Sequence, residues 1–488
     1  MKKFFKVFLI FILCFSLIFV QSAFALISIS QEIQLGKEIF KELSRQVEFV
    51  KDVELNAYVN DIGRILVKKG IGVPPYPFHF YVIKDDTFNA FSIPGGFIFI
   101  NSGVFEHINS EDELAGIMAH EIAHDLCRHV VRQIENAQKF QLLTIAAIIA
   151  AILSGNPKVV NAVGATSIAM AQTKMLAYSR EDEEEADRVG LQVLEKAGYN
   201  PWGMVEIMQR LSRESDFAIE VTYKYLLTHP LPQERLNYLS ILASEYTKNK
   251  KPADLVCPDK TYFKRLKIRA TVISKDPESL VLIYKQELFE KKDPWIRYAL
   301  ALTLEKERFF KEAISYMKEA LKALPKRDFF KIDLAELYFK AGDYHKALNV
   351  LNEITLPKSP KYKYQDIIKL KYFYLKAKIL CEIGKFVQAF NLLNNLSNNS
   401  VIQNIPEFFF YFGKVASALN KKGIAHYCFG RYYELLGNYS AANYHYRQAL
   451  LFLNKTDKMY FKLLERLRQI RGFNRKKRNK QASGGMNE

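Results

Sequence analysis

Between Met118 and His129 the chain reads MAHEIAHDLCRH, two histidines four apart with a glutamate directly after the first. On a helix, positions i and i+4 share a face, so His120 and His124 can offer imidazole nitrogens to one ion. Glu121 then points to the side, within reach of a water at the metal rather than of the metal itself. A hydrolytic centre needs a third protein donor and a fourth position open to water. That donor is sought among the carboxylates of YSREDEEEADRVG, residues 178–190. Glu183 and Asp187 are four apart and share a helical face with Gly190. One can bind the metal while the other holds a ligand histidine by a hydrogen bond. Spacing alone does not choose between Glu183 and Glu184, and the remaining glutamates suit a solvated helix start.

These residues need rigid elements to carry them. Ser110 and Glu113 read as a capping box for the motif helix, and Glu111 and Asp112 add charge that suits its N-terminus. Leu114, Ile117, Met118 and Ile122 flank the histidines with apolar residues, which predicts a buried helix. The second helix is expected to start at Ser179 and end near Gly198. Upstream, residues 31–46 and 54–70 have helical periodicity, the latter ending at Gly70. Residues 78–86 alternate as a strand, and Pro94-Gly95-Gly96 turns the chain before the β-rich Phe97 to Ile100. Cys127 falls on the same face as the two histidines and reads as a buried thiol beneath the site. The apolar run from Leu142 to Leu153 is too short to span a bilayer. It reads as a buried hairpin helix or as a lid beside the site.

Composition bounds the rest. With 488 residues, 49% hydrophobic and 25% charged, the chain suits two or three folded domains. A net charge of +18 and a pI near 9.3 point to acidic partners or a membrane surface. Lys2, Lys3 and Lys6 precede an apolar run from Val7 to Val20, and Ala23-Phe24-Ala25 supplies a cleavage signal. This is the pattern of a secretory signal peptide, and export argues against a nucleic-acid role for the basic charge. Cys127, Cys257, Cys381 and Cys428 would remain after cleavage, enough for two disulfides whose pairing spacing cannot assign.

From about Asp293 the sequence repeats. GDYHKA, GKFVQA and GNYSAA each set a glycine five residues before an alanine: Ala347, Ala389 and Ala442. Ala313 lies 34 residues before Ala347, in register. Small residues sit twelve positions before these alanines (Ala301, Ala335, Ala377, Gly430), with Leu304, Tyr338, Leu380 and Tyr433 three further on. Those are the close-packing positions of a tetratricopeptide helix pair, four of which are recognisable. Such arrays form concave surfaces that bind peptide or protein segments. The basic tail is expected to be disordered.

The H-E-x-x-H motif with a downstream E-x-x-A-D resembles the gluzincin metallopeptidase family that includes the CAAX prenyl endopeptidase. The signal peptide, NAFSIPGG before the motif, THPLPQER after it and the tetratricopeptide tail resemble its periplasmic branch. The resemblance implies one Zn2+ per chain, held by His120, His124 and Glu183. It further implies Glu121 as general base, with Asp187 as its catalytic companion orienting a histidine. In that branch the T-H-P histidine, here His229, can fill the fourth position and keep the enzyme latent. Arg235 of the same motif is expected to contact substrate or to pair with a carboxylate. Phe97, Ile98 and Phe99 are expected to form an edge strand that takes substrate backbone by β-addition. The implied fold is an α+β zincin-type metallopeptidase domain followed by an all-α tetratricopeptide-repeat solenoid. Its divisions are 1–25 signal peptide, 26–255 peptidase, 256–470 repeats and 471–488 tail. The implied role is peptide-bond hydrolysis in the periplasm, on misfolded or assembling outer-membrane proteins and their assembly machinery, with chaperoning as the alternative.

Overall fold

The computed structural model describes residues 27–136, 178–216, 225, 228–230, 233–248, 259–356, 364–399, 401–456 and 459–468. The expected signal peptide, the apolar run 142–153, Cys257 and the tail 471–488 lie outside them. The chain divides into two compact units, Met1–Phe49 with Ile62–Cys257, and Val50–Asp61 with Pro258–Glu488. The division is interleaved where the sequence suggested simple succession. Residues 50–61 group with the second unit because Asp52 and Glu54 belong to its buried ion cluster, described below.

In the first unit, α1 (Ile29–Leu43) starts at a reciprocal box. Ser28 Oγ accepts from the Gln31 amide at 3.3 Å, and Gln31 Oε1 accepts from the Ser28 amide at 2.9 Å. Helix α2 (Val53–Ile65), which enters the first unit only at Ile62, does not stop at Gly70 but widens into a π turn, Leu66–Ile71, closed by Gly72 with φ +89°. Strands β1 (His79–Ile83), β2 (Ala90–Ile93) and β3 (Phe97–Asn101) form a sheet of order β1-β3-β2. β1 runs parallel to β3, and β2 antiparallel to it. Gly95 and Gly96, with φ +87° and +88°, make the β2–β3 turn. Phe97 and Phe99 pack with Leu35, Ile39, Leu43 and Ile93 in the core between α1 and the sheet.

This topology corrects the expected substrate strand. Phe97, Ile98 and Phe99 lie on the central strand, with ladder partners on both sides, and are buried. Their backbone groups are already paired and cannot take another chain. The edges, among the described residues, are β1 and β2. Among the described residues, a short helical turn (Val104–His107) and helices α3 (Glu111–Leu126), α4 (His129–Asn136), α5 (Arg180–Ala197), α6 (Trp202–Asp216) and α7 (Gln233–Thr247) follow.

The second unit is helical. Its elements are α8 (Lys260–Ser274), α9 (Pro277–Glu290), α10 (Pro294–Lys306), α11 (Phe310–Ala323), α12 (Asp328–Lys340) and α13 (Tyr344–Asn352). They continue with α14 (Tyr364–Glu382), α15 (Phe386–Leu396), α16 (Pro406–Ala418), α17 (Lys422–Leu435) and α18 (Tyr439–Phe452). The repeat alanines 313, 347, 389 and 442 are fully buried. At Gly430 a β-carbon would stand 2.3 Å from the Tyr446 ring, so the small residue is what lets α18 approach α17.

One turn recurs throughout. A residue in the left-handed region (Arg308, Gly342, Gly384, Asn420 or Gly437) reverses the chain. The next amide then donates back to the carbonyl of Leu304, Tyr338, Leu380, Ala416 or Tyr433 at 2.8–2.9 Å. This is the helix-ending bond of a Schellman motif. The Asn420 turn, between α16 and α17, is a fifth copy where the sequence showed four units. Cys381 and Cys428 are both free thiols, as is Cys127, so the two permitted disulfides do not form among the described cysteines.

Arg265, fully buried, is the hub of the ion cluster. It donates to both oxygens of Glu54, and its Nε and Nη2 donate to Asp333 at 2.7 Å each. Lys371 lies 2.8 Å from Asp333 and 3.0 Å from Glu336, and Arg269 pairs with Asp52 and Asp333. Burial pushes these carboxyls up, but the surrounding cations prevail and hold Asp52, Glu54, Asp333 and Glu336 below their ordinary values.

Carboxylates with lowered folded pKa stabilise the unit above their unfolded values of 3.8 and 4.5, and that stabilisation is lost as pH falls through the folded values. Thermal melts should therefore drop steeply below about pH 4. Asp333→Asn, which leaves Arg265 half-paired, should cost on the order of 3–5 kcal/mol at pH 7 and flatten that acid limb. Arg308→Gly, relieving a side chain at φ +65°, should stabilise the unit by about 1 kcal/mol in denaturant titration.

Candidate metal centre

Helix α3 is capped at Ser110, whose Oγ accepts from the Glu113 amide at 3.2 Å. The reciprocal half of the expected box is absent. Glu113 instead accepts from the Asn109 amide at 2.8 Å and from the forked guanidinium of Arg210. Glu113 to Asp125 are all buried, as the apolar flanks predicted. Two glycines set the helix spacing. A β-carbon on Gly116 would meet the Met204 backbone of α6 at 2.8 Å, and one on Gly190 would meet the Ala119 backbone at 3.3 Å. Helix α5 therefore crosses α3 one residue from His120. Ser179 caps α5 with a reciprocal box to Asp182, and Gly198 ends it at φ +86°.

The crossing brings four donors together. His120 Nε2 lies 2.9 Å from His124 Nε2, and His124 Nε2 lies 3.3 Å from Glu183 Oε1. His229 Nδ1 lies 2.9 Å from Glu183 Oε1 and 3.4 Å from His120 Nε2. Tetrahedral coordination with bonds of about 2.1 Å sets donor atoms roughly 3.4 Å apart, so this set fits one ion. All four side chains are buried, and their donor atoms lie within 4.8 Å of one another. Glu184 is exposed, which separates it from Glu183 where spacing could not.

Behind this shell stands a charged one. Asp187 Oδ1 lies 3.0 Å from His120 Nδ1, the placement of a group that orients one of the candidate donors. Arg235 donates to Asp187 through Nε at 2.5 Å and Nη2 at 2.8 Å, and through Nη1 to the Pro230 carbonyl at 2.9 Å; it also pairs with Glu183. Arg235 is 3% exposed and its donors are committed, so the expectation that it contacts substrate gives way to the carboxylate pairing. Tyr238 adds a 2.5 Å hydrogen bond to Asp187 Oδ2. Tyr178 stacks on His124 with centroids 3.8 Å apart, and Tyr225 stacks on His229 at 4.4 Å.

Glu121 is fully buried, and among the described residues neither carboxylate oxygen has a hydrogen-bond partner; His229 Nε2 stands 3.7 Å from Oε1. Burial raises its carboxyl above the ordinary range, against the pull of His229 and His120. Burial would lower His120, but the Asp187 and Glu183 carboxylates outweigh it and hold the imidazole at about 9. Burial and the neighbouring His120 drive His124 well below its ordinary value. The charges explain this pattern. Glu121, Glu183 and Asp187 face Arg235, which leaves an ionised site two positive charges short. A divalent cation would make up that shortfall.

The residue that sequence reasoning left without a role is His129. It is fully buried, with Nδ1 2.7 Å from His124 Nδ1 and Nε2 3.1 Å from Glu185 Oε2. Its signal in the sequence was its place directly after Arg128, as in the family resembled. Cys127 is half-buried beside it, and burial pushes its thiol up to about 11.

Residues 53–243 match peptidase family M48. Residues 303–406 match the family described as "Tetratricopeptide repeat protein 21 forth ARM domain". The chain is similar to the β-barrel assembly-enhancing protease of Yersinia pestis, 35% identical over 218 residues, covering 44% of each chain. It is 34% identical over 217 residues to the protein of that name from Escherichia coli K12, again covering 44% of each. It is 28% identical over 173 residues to the mitochondrial metalloendopeptidase OMA1 of Schizosaccharomyces pombe, covering 36% of this chain and 48% of that one. The matched parts thus span under half the length of these curated relatives.

Elemental analysis of the purified chain tests the donor set. Glu183→Gln should lower metal affinity on the order of 100-fold, while Glu184→Gln retains a full equivalent. Equal loss in both would refute the choice of Glu183.

Proposed function

We propose that this chain, whose residues 53–243 are a peptidase family M48 domain, is a zinc-dependent endopeptidase of the bacterial cell envelope. The observation that carries the reading is the convergence of His120, His124 and Glu183 beside a buried carboxylate, Glu121, that has no hydrogen-bond partner among the described residues. Zinc is the metal that best suits a closed imidazole and carboxylate set of four. When bound, it lowers the pKa of a water to about 7 and polarises the scissile carbonyl. Glu121 takes the proton of the attacking water and delivers it to the leaving amine. Burial raises its proton affinity, which suits a group that takes up a proton and passes it on. Asp187 holds His120, and Arg235 holds Asp187 and Glu183.

The substrates proposed are misfolded or assembling outer-membrane proteins, as the names of the bacterial relatives suggest. The helical repeats recruit these clients and their assembly machinery. A periplasmic site is supported by the signal-like residues 1–25, and the +18 charge suits contact with an anionic membrane surface. Among the described residues, no helix is long and apolar enough to cross a membrane. Extended substrate would add at β2, which lines the sheet beside α3, and not at the central strand β3.

One observation favours a second reading, a chaperone whose proteolysis is latent. His229 Nδ1 lies 2.9 Å from Glu183 Oε1 and 3.4 Å from His120 Nε2, so as a fourth donor it would keep water and substrate from that position. Degradation of casein separates the two readings. Glu121→Gln should abolish cleavage by about 10²–10⁴-fold. His229→Ala should raise cleavage and self-cleavage several-fold, all of it lost again in the double variant. Unchanged cleavage in Glu121→Gln refutes the assignment of the base, and unchanged cleavage in His229→Ala refutes latency.

A further inference from the structure

We infer that His129 is a positioning residue that fixes the tautomer and orientation of His124 and links it to Glu185. The inference rests on the reading of His124 as a metal ligand through Nε2. A histidine that gives its Nε2 lone pair to a metal carries its proton on Nδ1. The atom placed to accept that proton is His129 Nδ1, at 2.7 Å. An imidazole that accepts at Nδ1 carries its own proton on Nε2. That nitrogen lies 3.1 Å from Glu185 Oε2 and 3.7 Å from Asp182 Oδ1. Arg132 Nη2 grips the same two oxygens at 2.7 and 3.0 Å. Both tautomers follow from the ligand assignment alone.

The two motif histidines are therefore held alike. His120 is backed directly by Asp187, which Arg235 anchors. His124 is backed through one intervening imidazole by Glu185, which Arg132 anchors. The first arm is buried, whereas the second surfaces, with the Glu185 and Arg132 side chains 40% and 47% exposed. The turn between α3 and α4 makes the second arm. Arg128 takes φ +57° and its guanidinium is tied to Glu32 at 2.7 Å, which folds His129 back beneath His124.

Cys127, His129 and Glu185 also set S, N and O donors within 4.8 Å of one another, as a second cation site would. Arg132 already brings a positive charge to those carboxylates, and the Nε2 proton of His129 is committed to Glu185. The trio is thus read as support for the first site.

The test measures zinc affinity of the full chain by chelator competition, and the visible absorption of the Co2+-loaded chain. His129→Phe should weaken zinc binding about 10–100-fold and shift the cobalt bands. His129→Asn, which can present an acceptor in place of Nδ1, should recover most of both. Glu185→Gln, on the solvated side and tolerant of change, should weaken zinc about tenfold and serves as the deciding variant if His129→Phe does not fold. Wild-type affinity and spectrum in folded His129→Phe, or in Glu185→Gln, overturns the positioning role alone. Two zinc equivalents, the second removed by Cys127→Ser, overturns it in favour of a second cation site. No zinc bound by the wild-type chain overturns the ligand reading beneath it.

Discussion

Arg235 forks onto Asp187 from a site 3% exposed to solvent and pairs with Glu183 through the same guanidinium, and the metal centre depends on that fork. Three carboxylates enter a volume from which water is excluded, and their mutual repulsion would dismantle the crossing of α3 and α5. A planar cation with five donors meets two of them at once in fixed geometry, which a lysine ammonium does not. The guanidinium also leaves the site two positive charges short, and so selects for a divalent ion over a monovalent one. Charge and geometry thus point to the same occupant. Tyr238 adds a second donor to Asp187 Oδ2, which Arg235 Nε already engages.

Much of this was legible in the chain. The i, i+4 pair His120 and His124, the i, i+4 pair Glu183 and Asp187, and the caps at Ser110, Ser179 and Gly198 are local signals, and local physics decided them. What escaped was decided by partners distant in sequence. Glu113 turns away from its own cap because Arg210, 97 residues on, offers a stronger bond. Phe97 to Phe99 look alike as edge or centre, since alternation reports burial and says nothing of which neighbours pair. Only the parallel return of β1 against β3 made the strand central. Arg235 was visible as a motif residue, but its orientation toward carboxylate rather than substrate needed the third dimension.

The repeats show the same divide within one motif. Glycine marks three of the five left-handed turns, and there the sequence announces them. Arg308 and Asn420 adopt the same backbone without the residue that makes it easy, because the buried alanine and the carbonyl-closing bond already determine the turn. The ion cluster was hidden for a different reason. Asp52, Glu54, Arg265, Asp333 and Lys371 are scattered over more than 300 positions, as the 317-residue span from Glu54 to Lys371 shows. No window on the chain contains them, yet together they explain why residues 50–61 leave the unit that surrounds them in sequence.

On the proposed reading of His229 as the fourth donor, its identity has a consequence for how such a site would be opened. A carboxylate or thiolate in that place would carry charge, and its departure would leave the buried ion uncompensated. An imidazole acting as a ligand is neutral, as is a water. Exchange of one for the other leaves the sum over Glu121, Glu183, Asp187, Arg235 and a divalent ion unchanged. The cost of opening is then one coordination bond and the contacts of His229, chiefly the Tyr225 stack and the bond to Glu183. A new occupant offsets the first of these. The site can therefore be held shut by a side chain and still open without re-ionising its surroundings, a condition that histidine meets and the acidic donors do not.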